Sequence, residues 1–338
     1  MTEKIAVLGA GSWGSMLADI LVENGHEVRV WSKSKEQVDE LNTKHTNSHY
    51  IKDFTFPTKM KAYADMSEAL DGVDDILFIV PSQATRSVAR QANEVLNQMN
   101  IKPYIIHGSK GIEKGSYDRM SQVLQEEIDE KNRKSISVIS GPSQAEDVAR
   151  RDITLVTAAS DDMPSAEHFQ KLFMNDYFRV YTNNDIIGVE IGGALKNIIA
   201  LGAGALVGLG YGDNAKAALM TRGIAEISRL GVSFGADPLT FSGLSGLGDV
   251  IVTATSSDSR NWRAGYQLGQ GKKLDDVVKD MGMVIEGIAT NQAAYELSKQ
   301  RGVEMPITSA IHAVINDEET VSDAISNLMA REGRSEQV

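Results

Sequence analysis

Residues 4–31 restrict what this chain can fold into more than any other stretch. Lys4–Leu8, KIAVL, is a short apolar run of the kind that forms a strand buried on both faces. It leads directly into Gly9-Ala10-Gly11-Ser12-Trp13-Gly14, then into SMLADILVENG with helical apolar spacing, then into a second strand over Val28–Trp31. Strand, glycine turn, helix and strand within about thirty residues are the setting in which G-x-G-x-x-G works as a dinucleotide fingerprint. Gly9 permits the tight turn, Gly11 lets the backbone approach a pyrophosphate, and Gly14 lets the helix lie close on the strand. The first helical turn then offers unpaired N–H groups to phosphate.

The end of the second strand bears on which dinucleotide is taken. An NAD-preferring site carries Asp or Glu there, accepting from the ribose 2′-hydroxyl. Here the chain reads Trp31-Ser32-Lys33-Ser34-Lys35, with no carboxylate before Glu36. Ser32 and Lys33 therefore predict a seat for a 2′-phosphate, with NADPH preferred and NADH also accepted.

The alternation of strand and helix continues from there. A polar helix-like stretch runs from Ser34 to Asn47, and an extended excursion covers 48–59. Strands are expected at Lys61–Tyr63, Asp75–Val80, Tyr104–His107, Ser135–Ser140, Ile153–Ala158 and Phe178–Thr182, with helices at Met66–Leu70 and Thr85–Met99 and a charged helix end over Glu126–Arg133. In a doubly wound sheet the carboxyl ends of the strands face the ligand crevice. That edge receives Pro81-Ser82, Gly108-Ser109-Lys110-Gly111 and Gly141-Pro142-Ser143. After Ile186 strand signal ceases, and helical patterns cover 185–209, 213–230, part of 237–255, 273–281, 286–301, 306–315 and 320–331. The expectation is an α/β chain of two domains: a Rossmann-type doubly wound sheet over 1–184, then an all-α domain over 185–338. Glu332–Val338 reads as a polar tail.

The second half opens on DIIGVEIGGALKNIIALGAGALVGLG. At 3.6 residues per turn, Val189, Gly192, Gly193, Lys196, Asn197 and Ala200 share a face. Two glycines inside a helix cost on the order of 1–2 kcal/mol relative to alanine. They also bare the surface one turn before Lys196, which predicts room for a small molecule beside an ammonium. The plain alternative is close helix packing, with Lys196 reaching to water. Further along, Asp249 and Thr253 share a helix face. Arg260 offers a planar fork suited to phosphate, flanked by Ser259 and Asn261. Taken singly, Asp249 reads as a cap and Arg260 as a surface charge.

Composition excludes several classes. A formal net charge of −12 argues against a nucleic-acid partner. The chain has no cysteine, which removes disulfides, thiolate metal sites and cysteine nucleophiles. The start shows no charged-then-apolar leader. The apolar run Ile198–Gly210 is shorter than the roughly 20 residues a bilayer needs. A soluble cytoplasmic protein is expected, with no integral membrane association.

GAGSWG, GSKGIE, ISGPSQAED, EIGGALKNIIALGAG, GLSGLGD, SRN and MVIEG occur in this order. With that ordered set the sequence resembles the bacterial NAD(P)-dependent glycerol-3-phosphate dehydrogenases over nearly its whole length. The resemblance implies reversible reduction of dihydroxyacetone phosphate to sn-glycerol 3-phosphate for glycerophospholipid synthesis, with Lys196 as general acid/base. It implies substrate contacts from Lys110, Gly141, Ser143, Asp249, Ser259, Arg260 and Asn261; Asn197 and Thr253 are expected to hold substrate hydroxyls. Cofactor contacts are implied for Ser12, Trp13, Lys33, Lys110, Ala145, Arg260, Val284 and Glu286, alongside Gly9, Gly11 and Gly14. No metal is implied, and a homodimer is expected. Trp13 stands at an aromatic-tolerant position. Lys33 stands where relatives often carry another basic or polar residue, so coenzyme preference is the least fixed part. Two other readings stay open on the residues alone: a non-catalytic NADP-binding sensor that dimerises through its small-residue helices, and a related hydroxyacid dehydrogenase with a carboxylate substrate.

Overall fold

The structure, a computed structural model, describes residues 2–333, 335 and 336. The polar tail expected over 332–338 lies partly outside the described residues. The strands are β1 (Lys4–Leu8), β2 (Glu27–Trp31), β3 (Lys61–Tyr63), β4 (Asp75–Phe78), β5 (Tyr104–His107), β6 (Ile136–Ser140), β7 (Thr154–Ala159) and β8 (Phe178–Asn183). They form one sheet in the order β3-β2-β1-β4-β5-β6-β7-β8. The chain leaves β3 at one edge and returns as β4 on the far side of β1, which makes the β1/β4 boundary the topological switch point.

The first six strands are parallel to one another, as expected of a doubly wound sheet. β7 then pairs antiparallel with β6, and β8 runs parallel to β7, so the last two strands are reversed. The alternating pattern gave no warning of this. The cause is local. Between β6 and β7 the one helix has five residues, Ala145–Ala149, and advances only about 7.5 Å, too little to carry the chain back along a strand. Arg151, at φ 60°, turns it instead.

Among the described residues seven α-helices accompany the sheet: α1 (Ser12–Glu23), α2 (Lys35–Thr43), α3 (Met66–Leu70), α4 (Thr85–Met99), α5 (Met120–Glu127), α6 (Ala145–Ala149) and α7 (Met163–Phe173). One face of the sheet buries Val7, Leu17, Val30, Phe169, Phe173 and Phe178; the other buries Ala6, Leu8, Phe78, Val88 and Leu96. Among the described residues no strand follows Asn183. The remaining helices are α8 (Ile186–Gly208), α9 (Asp213–Ser233), α10 (Asp249–Thr255), α11 (Arg260–Gly269), α12 (Leu274–Met281), α13 (Glu286–Arg301), α14 (Pro306–Ile315) and α15 (Val321–Met329).

α8 is the axis of this half, with α9, α10, α11 and α13 packed around it. Its apolar stretch is longer than the Ile198–Gly210 run suggested: 23 residues, enough to cross a bilayer by length, but 89% of its most apolar window is buried inside the protein. The sequence reading has no helix over Met163–Phe173 and none over Arg260–Gly269. In the structure Ser259 opens the second of these: its Oγ accepts from the Trp262 N–H and caps α11.

Candidate active site

At the glycine turn each glycine has a separate geometric reason. Gly9 sits at φ +117°, and a Cβ there would strike the carbonyl oxygen of Ile79. A Cβ on Gly14 would run into the Gly9 carbonyl, so α1 lies directly on the turn. A Cβ on Gly11 would meet nothing within 4 Å. Gly11 is also the N-cap of α1, with no side chain capping the helix. The first-turn N–H groups therefore face an open approach, the arrangement a pyrophosphate fits. Ser12 Oγ donates to the Tyr50 carbonyl at 3.0 Å and pins the 48–59 excursion beside the turn. The Trp13 ring packs against Phe178 at 6.3 Å, and its buried Nε1 has no partner.

The 2′-phosphate seat differs from expectation. Ser32 is buried, and its hydroxyl donates to Gln37 Oε1 at 2.6 Å while accepting from the Ser34 N–H. Ser32 is thus committed to the turn; Lys33, just past β2, is exposed and able to meet an anion.

The substrate side is assembled from distant parts of the chain. Lys110 follows β5, Gly141 follows β6, Lys196 lies on α8, and Asp249 begins α10. Asp249 is fully buried. Its Oδ2 accepts from Lys110 Nζ at 2.6 Å and its Oδ1 from Lys196 Nζ. One carboxylate therefore holds two ammonium groups, which overturns the reading of Asp249 as a simple cap. Lys110 Nζ also donates to the Gly141 carbonyl at 3.0 Å, and Ser143 Oγ donates to that same carbonyl. Lys196 Nζ donates to Thr253 Oγ1 at 2.8 Å. Burial drives the Lys196 amine down; Asp249 opposes this, Lys110 adds to it, and the result is about 7. That value suits a group that gives and takes a proton near neutrality.

Several expected roles change in detail. Gly192 and Gly193 do not leave room for a small molecule. A Cβ on Gly192 would lie 2.7 Å from the Ser245 carbonyl oxygen, and one on Gly193 would lie 2.6 Å from Ser140 Oγ. The glycine face is filled by a π-helical turn, Leu244–Gly248, and by the end of β6. Thr253 spends its hydroxyl proton on the Asp249 carbonyl at 2.7 Å, so it acts as an acceptor for Lys196 rather than a donor to substrate. Asn197 Oδ1 accepts from Asn261 Nδ2 at 2.9 Å, and Asn261 Oδ1 accepts from the Gly287 N–H at 2.9 Å. These two amides tie α8, α11 and α13 together. Arg260 is exposed at the start of α11, its guanidinium 3.4 Å from the exposed Val284's carbonyl. Ala145 is buried in the first turn of α6. Glu286 spans the crevice, its carboxylate accepting from the Ser82 N–H at 3.1 Å and the Ser82 hydroxyl at 2.6 Å.

The structure thus gathers Lys110, Gly141, Ser143, Lys196, Asp249 and Thr253, with Asn197, Ser259, Arg260 and Asn261 alongside on α8 and α11. Lys33 is separate, three strand spacings or about 14 Å from the β5 end. Among the described residues no group of three or more His, Asp or Glu could hold a metal ion.

The model for the NAD-dependent glycerol-3-phosphate dehydrogenase N-terminus matches residues 4–166, and the model for its C-terminus matches 185–326. The chain belongs to this family. It is 68% identical over 336 residues to a glycerol-3-phosphate dehydrogenase of the NAD(P)+ kind from Levilactobacillus brevis, covering 99% of this chain and 100% of that one. Against the corresponding protein of Limosilactobacillus reuteri identity is 60%, with 99% of each chain covered. The crystal structure of glycerol-3-phosphate dehydrogenase from Coxiella burnetii superposes with a TM-score of 0.91 at 38% identity, covering 98% of this chain and 99% of that one.

Ser82 stands at the crevice edge, where the sequence placed it; its bonds to Glu286 were not foreseen. Glu190, a lone carboxylate in the apolar run preceding Lys196, escaped the sequence reading although the sequence displays it.

Proposed function

We propose that this chain reduces dihydroxyacetone phosphate to sn-glycerol 3-phosphate, reversibly, and so supplies the backbone of glycerophospholipids. Residues 1–184 hold NAD(P)H and residues 185–338 complete the substrate site. The observation that carries the reading is Lys196: an amine with a value of about 7, buried, and held by Asp249 opposite Lys110. The cofactor, when bound, supplies a hydride to the substrate's C2. Gly9, Gly11 and Gly14 shape the pyrophosphate seat, with Ser12 and Trp13 in the first turn of α1. Ala145, Val284 and Glu286 flank the crevice, and Lys33 meets the 2′-phosphate of NADPH.

The protein's own work is at the oxygen. As an ammonium, Lys196 polarises the C2 carbonyl and gives up a proton as the alkoxide forms; in the reverse direction the neutral amine takes the proton back. Asp249 keeps Lys196 aimed, and Thr253 accepts its second N–H. Lys110 adds positive charge at the same carboxylate. Arg260, Ser259 and Asn261, with Gly141, Ser143 and Asn197, hold the substrate, and the phosphate grip converts remote binding energy into alignment. A cytoplasmic homodimer is the proposed working form.

The test mixes the protein with NADPH and dihydroxyacetone phosphate and follows loss of the reduced-nicotinamide absorbance, with NADH in a parallel series. Turnover with kcat/KM higher for NADPH is expected. No turnover with either cofactor would refute the reaction, and a strong preference for NADH would refute the role of Lys33.

A further inference from the structure

Glu190 stands on α8 six residues ahead of Lys196, with apolar neighbours on both sides in sequence. It is 7% exposed. Its carboxylate accepts from the Ser121 N–H at 2.7 Å and from the Ser121 hydroxyl at 2.6 Å. It pairs with the Arg119 guanidinium and lies 3.1 Å from Nε2 of His107, an electrostatic contact rather than an aligned hydrogen bond. Burial pushes this carboxyl up; His107, Arg119 and Ser121 outweigh burial and hold it at about 2, so it stays ionised.

All of those partners belong to the sheet half. His107 is the last residue of β5, fully buried, three residues before Lys110. Arg119 and Ser121 sit at the start of α5. Desolvation offsets most of the attraction in such a buried ionic cluster, so added stability does not account for it. Fixing one geometry does. β5 leads to Lys110, α8 leads to Lys196, and the two ammonium groups meet on Asp249. Glu190 joins these two arms about 9 Å along the helix axis from Lys196.

We infer that Glu190 is a positioning residue: its carboxylate sets the height of α8 against β5, and with it the placement of Lys196 at the reacting carbonyl. The inference rests on the proposed reaction. Misplacement by a fraction of an ångström to 1 Å at a reacting centre lowers turnover by up to about 10²-fold.

The experiment compares the wild-type chain with Glu190→Gln, which keeps the side chain's shape and removes its charge. Each is assayed with dihydroxyacetone phosphate and with NADPH carrying hydrogen or deuterium at the transferring position. For Glu190→Gln, kcat is expected to fall by at least about 10-fold, with KM for NADPH within about twofold of wild type. The deuterium effect on kcat should rise, because poorer alignment slows hydride transfer itself. A purely structural role lowers kcat through the folded fraction and leaves the isotope effect where it was. Ser121→Ala guards against a Gln variant that does not fold, since it keeps the anion and Arg119 and removes one donor. It should show the same pattern with a decrease of about 2–5-fold. A folded variant with unchanged isotope effect, whether or not kcat falls, overturns the positioning role. A wild-type chain without turnover overturns the reaction and this inference together, whereas an active wild type with unaffected variants overturns the inference alone.

Discussion

Gly11 and Gly192 both read in the sequence as side chains left out to make space, and the structure uses that space in opposite ways. At Gly11 the backbone is ordinary, φ −71°, and a Cβ would meet nothing within 4 Å. The approach to the α1 N-terminus stays open for a ligand. At Gly192 a Cβ would lie 2.7 Å from the Ser245 carbonyl oxygen, because the π-helical turn before Asp249 packs there. One glycine admits a partner from outside; the other admits the protein's own backbone so that Asp249 reaches Lys196. On the proposed reading, the cofactor side relies on backbone N–H groups within six consecutive residues. On the substrate side the structure brings together side chains at 110, 196, 249 and 253 from separate elements.

The contrast is testable from either end. The largest effect is expected at Lys196. Lys196→Ala should lower kcat by a factor on the order of 10²–10⁴, the share of acid/base assistance, with NADPH binding intact. Wild-type turnover in that variant would remove Lys196 from the chemistry. Next come the two glycines as a pair. Gly11→Val should abolish most NADPH affinity, on the order of 10²-fold or more, while the unfolding midpoint stays put, since the site accepts a side chain without strain. Gly192→Ala should do the reverse, costing about 1–3 kcal/mol of stability by overpacking. Titration calorimetry and thermal unfolding on both proteins read the two quantities, and a stable Gly192→Ala chain would erase the distinction. Arg260→Ala should raise KM for dihydroxyacetone phosphate by roughly 10-fold, with a smaller fall in kcat; an unchanged KM would clear Arg260 of the phosphate.

The mildest manipulation is pH. The Lys196 amine lies at about 7, well below an ordinary lysine. Reduction needs the ammonium, so its kcat should fall as pH rises through that value. Oxidation of glycerol 3-phosphate needs the neutral amine and should rise over the same window. Parallel profiles in the two directions would contradict a single acid/base group.

The geometry of residues 9–14 was legible because it depends on neighbours in the chain and on what a missing Cβ allows. The sheet halves and the long helices followed from apolar period in the same way. Lys196, Asp249 and Arg260 were ambiguous one at a time, and only the ordered set of motifs gave them the roles proposed above. Beyond both routes lay whatever depends on a partner far along the chain. Nothing local says that Asn261 braces Gly287, or that Glu190 faces His107. The π-helical turn over 244–248 was equally hidden, since it packs against Gly192 from far along the chain.

The reversal of β7 and β8 has a consequence for how Lys196 arrives. Had β8 run with the first six strands, the chain would have emerged at the crevice rim, and a helix starting there would have carried its lysine away from the ligands. Because β8 ends at the opposite margin, α8 must climb back alongside the sheet. From Ile186 to Lys196 it ascends ten residues, about 15 Å at 1.5 Å each, and a five-residue strand such as β6 is about 16 Å long. The first ten residues of the helix cover the depth of the sheet, and its ammonium comes level with the rim before the helix runs on to Gly208.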